Sequence, residues 1–440
     1  MTQDTDRGHS QSGTLVTARV TPLGLSIMAV AGCALSLAVL SGRPELFVAA
    51  LPLLLALVPL ALRAPALDHR ISHEVSRERV FEGERVTIAV TVAARAPIPL
   101  IELLGPLPAG SAVVSGRHRA VMTIGAGGTA RWSYESVFPG RGVHDLGAIA
   151  VRRRDRAGVR TWEHRHVDSK PLRVYPTIAP LRSLPRPAYP RASIGDYVSP
   201  AFGEGIEPAD IRRFAPGDRV RQVNWRASLR LGELYVTQHH RERNADVVLM
   251  LDTLAEAGRA PETTLDWSVR AAASLATAYL ARKDRVGLIN YGGLIHWVKP
   301  AGGRAQYERL VDALARAGVV FTYVAKDLAV VPPRVLPPRA VVIGITPLLD
   351  ARFARAALDL AARGFDLVVL DVSPVAVTRA ALAPSPATDL ACRLWTLERH
   401  ARVAELHRQG IPVLAWQPPE PLELALARAR RRRPRLVAAG

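Results

Sequence analysis

Cysteine is close to absent from these 440 residues, occurring only as Cys33 and Cys392. Two thiols so far apart exclude a disulfide framework or a zinc cluster and fit a reducing compartment. Lysine is nearly as scarce, at Lys170, Lys283, Lys299 and Lys326, so the formal net charge of +19 is almost all arginine. Aromatics make up 5% and are not interleaved with basic runs, which argues against stacking on single-stranded nucleic acid. No glycine-rich loop runs into Lys-Ser or Lys-Thr, so there is no sign of a built-in nucleotide triphosphatase. "GEGIEP" opens like a dinucleotide turn but lacks its third glycine, and no serine sits in a nucleophile-elbow context. The histidines of "HRH" (His164 to His166) and "HH" (His239, His240) lie far from any cysteine or spaced acidic ligand. They read as solvated loop histidines rather than metal ligands. No catalysis of the chain's own, no cofactor and no bound metal are expected.

Apolar residues are plentiful, at 49%, and a chain of this length has several cores to bury. Residues 20–40, "VTPLGLSIMAVAGCALSLAVL", carry no charge and are long enough to cross a bilayer. A second run, "LFVAALPLLLALVPLAL" at 46–62, sits near the lower length limit, and "SGRPE" joins the two tightly. The reading is a transmembrane helical hairpin over 20–62, preceded by a cytoplasmic tail over 1–19. Arg7, Arg19, Arg63 and Arg70 flank the hairpin, whereas Arg43 in the linker is offset by Glu45. The positive-inside rule then places the bulk of the chain in the cytoplasm, as a multi-pass protein of the inner membrane. The rival reading takes "VAGC" at 30–33 as a lipoprotein cleavage site, but the apolar run continues past Cys33 and a second run follows.

Downstream the period changes. "RVTIAVTVAA" alternates over Val86, Ile88, Val90 and Val92, and further short runs are broken by "GAGG" and "FPGRG". This predicts a small β-sandwich-like domain over 71–176, with spacing and support as its default role. Residues 177–202, rich in proline, read as a linker. From 244 to 418 strands alternate with amphipathic helices: "ADVVLMLDT", the Leu265, Val269, Ala272, Ala276, Tyr279 stripe, "RVGLINYG", "RAVVIGITPL", "FDLVVLDV", a helix over 388–409, and "IPVLAW". That is a doubly wound, Rossmann-like parallel sheet, with Asp252 and Thr346 at the strand ends where ligands bind such folds. The fold class is α+β multidomain, closed by a basic C-terminal tail over 419–440.

Residues 203–243 belong to neither pattern. "DIRRFAPGDRVRQVNWRASLRLGELYV" at 210–236 sets a Pro-Gly turn, Asp218 and six arginines around Trp225, without a core-forming run. Two uses fit. In one, Trp225 packs and Asp218 pairs with buried arginines as an internal clamp. In the other, exposed arginine and Trp225 form a partner hot spot.

The same stretch closely resembles the signature of a large bacterial family, domain of unknown function 58. The matching positions are Arg212, Phe214 (usually tyrosine), Pro216, Gly217, Asp218, Arg221, Val223, Asn224, Trp225, Arg226, Ala227 and Ser228, with Arg230, then Glu242 and Arg243. The resemblance implies two membrane spans, a β-rich region and a von Willebrand factor A-like α/β domain. It also implies an adaptor or scaffold for an AAA+ ATPase of MoxR type, in protein maturation or cell-envelope processes. Self-association and contact with the inner membrane are further partner expectations. The alternative is a cationic protein binding nucleic acid or the anionic membrane face, motivated by +19 and "RARRRRPR" at 428–435; an uncharacterised hydrolase comes third. Domains of the implied type hold a divalent ion on an Asp-x-Ser-x-Ser pattern with a later threonine and aspartate. Here Asp252 and Thr346 match, but Leu254 and Glu256 replace the serines and Pro347 follows the threonine. The expectation is a degenerate site, in which Asp350 or Glu256 could supply a replacement oxygen.

Overall fold

The computed structural model describes residues 17–61, 69–155, 157–185, 202–215, 223–240, 246–321, 331–338 and 340–431. The chain divides into two compact units, Met1–Pro176 and Thr177–Gly440.

The first unit begins with a short strand, β1 (Thr17–Val20), running into helix α1 (Pro22–Ser41), and a second helix, α2 (Glu45–Ala61), follows. Thr21 caps α1 by accepting from the Gly24 amide, and Pro22 supplies the preset first-turn φ. Among the described residues, α1 is the one helix long and apolar enough to cross a membrane; α2, at 17 residues, falls just short of that length. The buried positions of α1 are Gly24, Ala31 and Ala38, seven residues apart, and Ala50 of α2 is fully buried. Small side chains such as Ala31, Ala38 and Ala50 let two helices approach closely, whereas Gly24 is buried against Val159. Their large residues, among them Leu23, Leu25, Val39, Leu40, Phe47 and Val48, point outward.

The rest of this unit is β: β2 (His69–Val75), β3 (Arg79–Phe81), β4 (Arg85–Ala94), β5 (Ile98–Leu104), β6 (Ala112–Gly116), β7 (Arg119–Ile124), β8 (Thr129–Val137), β9 (Gly142–Asp145), β10 (Ala148–Arg154), β11 (Arg160–Val167) and β12 (Pro171–Tyr175). One sheet runs β1-β11-β10-β5-β7, another β2-β4-β8-β6, and β3-β12-β9 forms a small third. Inward residues of the two larger sheets, Val86, Ile88, Val90 and Val92 from β4 with Ile101, Leu103, Ile149 and Val151, share one core. The period-two alternation thus turns one face of each sheet inward.

Strand β1 departs from the expectation of a tail over 1–19. It pairs antiparallel with β11, Thr17 opposite Glu163 and Val20 opposite Arg160. The Thr21 amide donates to Val159 O at 3.0 Å and the Thr21 hydroxyl to Gly158 O at 2.7 Å. A Cβ on Gly24 would stand 2.6 Å from Val159 O, so only glycine allows the start of α1 this close to that turn.

The second unit contains β13 (Phe202–Arg213), α3 (Trp225–Leu231), β14 (Tyr235–His240), β15 (Asp246–Thr253), α4 (Thr264–Ala281), β16 (Arg285–Gly292), β17 (His296–Ala301), α5 (Arg304–Ala315), β18 (Val341–Thr346), α6 (Ala351–Ala362), β19 (Asp366–Val372), α7 (Pro374–Ala381), α8 (Pro386–Arg408), β20 (Val413–Trp416) and α9 (Leu422–Arg431). Its main sheet runs β17-β16-β15-β18-β19-β20, parallel throughout except for β17, which pairs antiparallel with β16 at one edge. Val247, Leu249 and Leu251 of β15 face a core with α4, α5 and α9, while Val248 and Met250 face another with α6 and Leu406 of α8. Burial on both faces explains the unbroken apolar runs.

Two ends differ from the sequence reading. Residues 177–185 of the expected linker lie along α4 and α9, with Ile178, Leu181 and Leu184 packed on the core. Ser274 accepts from the Ala179 amide, and the Glu423 carboxylate accepts from the Arg182 and Ser183 amides. Of the expected basic tail, Leu422, Ala425 and Leu426 are buried in the same core. Both surprises have one cause: isolated apolar residues among prolines or arginines do not show a period, yet each finds a seat.

Candidate functional site

Strand β13 and strand β14 form a hairpin, with Arg213 opposite Tyr235 and Arg212 opposite Val236. Helix α3 sits inside its connection and is stitched to β14 by the backbone N–H of Asn224 and the side chain of Ser228. Asn224 caps α3 by accepting from the Ala227 amide at 3.0 Å, while its own amide donates to Tyr235 O at 2.7 Å. The Ser228 hydroxyl donates to Asn224 O and accepts from the Tyr235 amide, each at 2.8 Å. Gly232, at φ 74°, ends the helix in the left-handed conformation that favours glycine. Val223 bridges to Val236, and both are buried.

The motif therefore divides. Val223, Asn224 and Ser228 hold the helix in place, and Ser228 is 7% exposed. Trp225 is 60% exposed and Leu229 84%, with Leu231, Leu234 and Ile211 also open, and Arg226 and Arg230 are exposed beside them. Packing does not account for Trp225, contrary to its place in the clamp reading. Arg213 pairs with Glu233 at 2.9 Å in solvent, Arg212 donates to Arg213 O, and Phe214 is half-buried. Gly217, Asp218, Arg221 and Glu242 lie outside the described residues.

The second candidate lies at the carboxyl edge of the parallel sheet. Asp252, 1% exposed, accepts from the Leu254 amide at 3.0 Å through Oδ1 and from the Thr346 hydroxyl at 2.6 Å through Oδ2. Thr346 in turn accepts from the Leu348 amide at 2.8 Å. Burial pushes the Asp252 carboxyl up to about 7, against the opposing pull of those two hydrogen bonds. Leu254 and Leu348, whose amides bond to the pair, are both buried. Glu256 is exposed. Asp350 caps α6 and pairs with the Arg352 guanidinium, which holds its carboxyl below the usual range. So the structure brings Asp252 and Thr346 together, leaves Glu256 exposed, and places Asp350 near enough to push the Asp252 carboxyl up while Arg352 engages its oxygens.

Sequence reasoning missed what braces this edge. Arg399 of α8, 5% exposed, pairs with buried Asp371 at the end of β19 and donates to Pro347 O. Arg402 donates to Leu348 O at 2.9 Å. The loop beside Asp252 is thus gripped from one helix. Asp371 ends "VVLD" as Asp252 ends "LMLD", a parallel that flags a second strand-end carboxylate; the arginines carry no such flag.

Two further polar clusters lie in the β domain. The outer face of the β1–β7 sheet holds an open groove of about 670 Å³ in which Glu102 meets Arg119, Arg152 and Arg154 at 3.1, 3.5 and 3.1 Å. Guanidiniums outnumber carboxylates there, with Glu163 taking a further bond from Arg152 at 2.7 Å. His164 is not a solvated loop residue: it is buried in β11 with its ring centroid 5.2 Å from that of His69, and burial lowers its pKa. His239 and His240 fall within β14. Among the described residues no group of three His, Cys, Asp or Glu is placed to hold a metal ion.

Residues 210–376 match the family described as protein of unknown function DUF58. Uncharacterized proteins of Mycobacterium tuberculosis and Mycobacterium bovis are 30% identical over 139 residues, covering 31% of this chain. The chain spans 44% of the length of those relatives. Among solved structures, the cupredoxin domain of amoB from Nitrosocaldus yellowstonii aligns with 26% of the chain at 8% identity and a TM-score of 0.18, covering 90% of that domain. The C-terminal domain of wzt aligns with 25% at 8% identity and a TM-score of 0.18, covering 75% of that chain. Likeness at that level carries no functional argument.

Proposed function

We propose that this chain is a membrane-anchored, cytoplasmic adaptor that docks an AAA+ ATPase of MoxR type through the signature hairpin, without catalysis of its own. Its α/β domain serves as a von Willebrand factor A-like protein-contact module. The observation that carries the reading is the outward face of α3, where Trp225 and Leu229 stand exposed between Arg226 and Arg230. Tryptophan and arginine are the residues that most often dominate protein interfaces, and solvation alone gives no reason to expose the ring.

The anchor follows from chain order. β1 precedes α1 and pairs with β11, which follows α2. A strand pair cannot straddle a bilayer, so α1 and α2 cross together or not at all. With lengths of 20 and 17 mostly apolar residues, small buried residues and large apolar side chains outward, the pair reads as a two-span hairpin.

Two experiments test this. In a Cys33→Ser background, a cysteine at Ser41 should react with an impermeant thiol reagent from outside the cell; protection of that position would refute the hairpin. Pull-down of the full chain from its native cells should recover an AAA+ ATPase in a nucleotide-dependent manner, and Trp225→Ala or Arg226→Glu should lose it while the chain stays folded. Unfolding of both variants would return the motif to an internal clamp.

A further inference from the structure

Helix α8 (Pro386–Arg408) has an apolar seam on the wrong side. It is fixed to the domain through Cys392, Arg399 and Leu406, all buried and seven residues apart. The opposite stripe is Leu390, Leu394, Leu397, Ala401 and Ala404, at alternating spacings of four and three, and every member is exposed. The three leucines are 59, 59 and 65% exposed. This is the a/d repeat of a coiled coil sustained for two heptads, about 22 Å of helix at 1.5 Å per residue. Solubility favours polar residues at all five positions, and none is there.

The residues flanking the seam name the occupant. With Leu390, Leu397 and Ala404 at d and Leu394 and Ala401 at a, the g positions are Arg393, His400 and His407, and the e positions include Glu398 and Glu405. In a parallel pair of helices each g residue meets the e residue five positions on in its partner. That sets Arg393 against Glu398 and His400 against Glu405 of the second copy, on both sides of the seam. An antiparallel pair would set the g residues, Arg393 among them, against each other and the glutamates against each other. Glu398 and Glu405 now pair with Arg402 and Arg408 of their own helix on the surface, weak exposed contacts that exchange readily for interhelical ones.

We propose that α8 is a self-association surface, through which two copies of this chain form a two-fold dimer by a short parallel coiled coil. Because Arg399 and Arg402 of the same helix hold the loop next to Asp252, the dimer seam and the strand-end site share one rigid support.

The test uses the full chain in detergent solution with Cys33→Ser. Light scattering on a size-exclusion column should show a dimer that dissociates on dilution. The double variant Leu394→Glu/Leu397→Glu, whose changes fall on exposed positions, should be monomeric with an unchanged circular dichroism spectrum. Arg393→Glu should raise the dimer Kd roughly tenfold, and adding Glu398→Arg should bring most of the affinity back, because the pair is then reversed but still matched. In membranes, Leu397→Cys should form a disulfide with its own counterpart, while Ala362→Cys, exposed on α6, should not. A wild-type chain that stays monomeric at all concentrations, a dimer that survives the double glutamate variant, or preferential cross-linking of Leu390→Cys to Ala404→Cys would each overturn the proposal.

Discussion

Replacing Asp252 by asparagine should make the α/β domain more stable in alkaline solution and leave it almost unchanged in acid. The carboxyl sits at about 7 in the folded chain, whereas an unfolded aspartate titrates near ~3.9. Between those values the folded state holds a proton that the unfolded chain has released. A raised carboxylate pKa therefore costs stability as pH climbs through the window from about 4 to about 7, with the full cost present above it. Three pH units at about 1.4 kcal/mol each set a ceiling of about 4 kcal/mol. Asparagine keeps the shape and an acceptor for the Leu254 amide, and its NH2, standing where Oδ2 was, donates to the Thr346 hydroxyl as the protonated Asp252 carboxyl would, so the main loss is the ionisation. Asp252→Asn should match the wild type near pH 4 to 5 and exceed it at pH 8 by about 2–4 kcal/mol, a rise in Tm of roughly 5–10 °C for a domain of this size. Calorimetric scans of the full chain at pH 5, 6, 7 and 8 measure it. Asp371, also raised by burial, acts equally in both proteins and cancels in the difference. Melting temperatures that run parallel across the pH range would refute the assignment of a buried, neutral-shifted Asp252.

Arg399→Met should cost about 3–5 kcal/mol by leaving Asp371 buried without its partner, and Asp371→Asn in the same chain should recover most of that loss; a double-mutant cycle on Tm reads the coupling, and simple additivity would count against a buried pair. Ser228→Ala should cost about 1–2 kcal/mol locally, because it strips the acceptor from the Tyr235 amide. The readout is faster hydrogen exchange at Tyr235, and unchanged protection there would show that the hydroxyl does not hold α3. Gly24→Val should disrupt the junction of α1 with the Gly158–Val159 turn, since its side chain meets Val159 O; protease sensitivity of the β10–β11 turn should rise, and wild-type resistance would exclude the close approach.

How much was legible in the sequence depended on whether a residue's role leaves a period. Val86 to Val92 and the Leu265 to Tyr279 stripe repeat at 2 and 3.6, so the strands and helices they belong to stand out. Asp252 and Thr346 were legible because strand ends are where a parallel sheet presents side chains, and the structure joins them by a 2.6 Å hydrogen bond. Strand β1 was not legible: four residues without a distinctive pattern become a strand only because β11 offers an edge 140 residues away in the chain. The antiparallel edge strand β17 and the short helix α7 escaped for the same reason, being defined by neighbours more than by their own spacing. Arg399 escaped because a buried arginine looks in sequence like any exposed one. The outward seam of α8 was hidden by its regularity, since apolar residues at three and four spacing ordinarily announce the side facing the core.

The pairing of β1 with β11 also orders events in time. During synthesis β1 and α1 leave the ribosome first, while β11 follows some 140 residues later, a delay of roughly 7–30 s at ordinary elongation rates. Strand β1 stays without its neighbour until nearly the whole sandwich has been made, and closure then fastens the start of α1 to a folded domain through Thr21 and Val159. Folding of the β domain becomes the last step in fixing the helix pair. A shortened chain that begins after α2 would carry the bare edge of β11 permanently, and with it a tendency to recruit foreign strands.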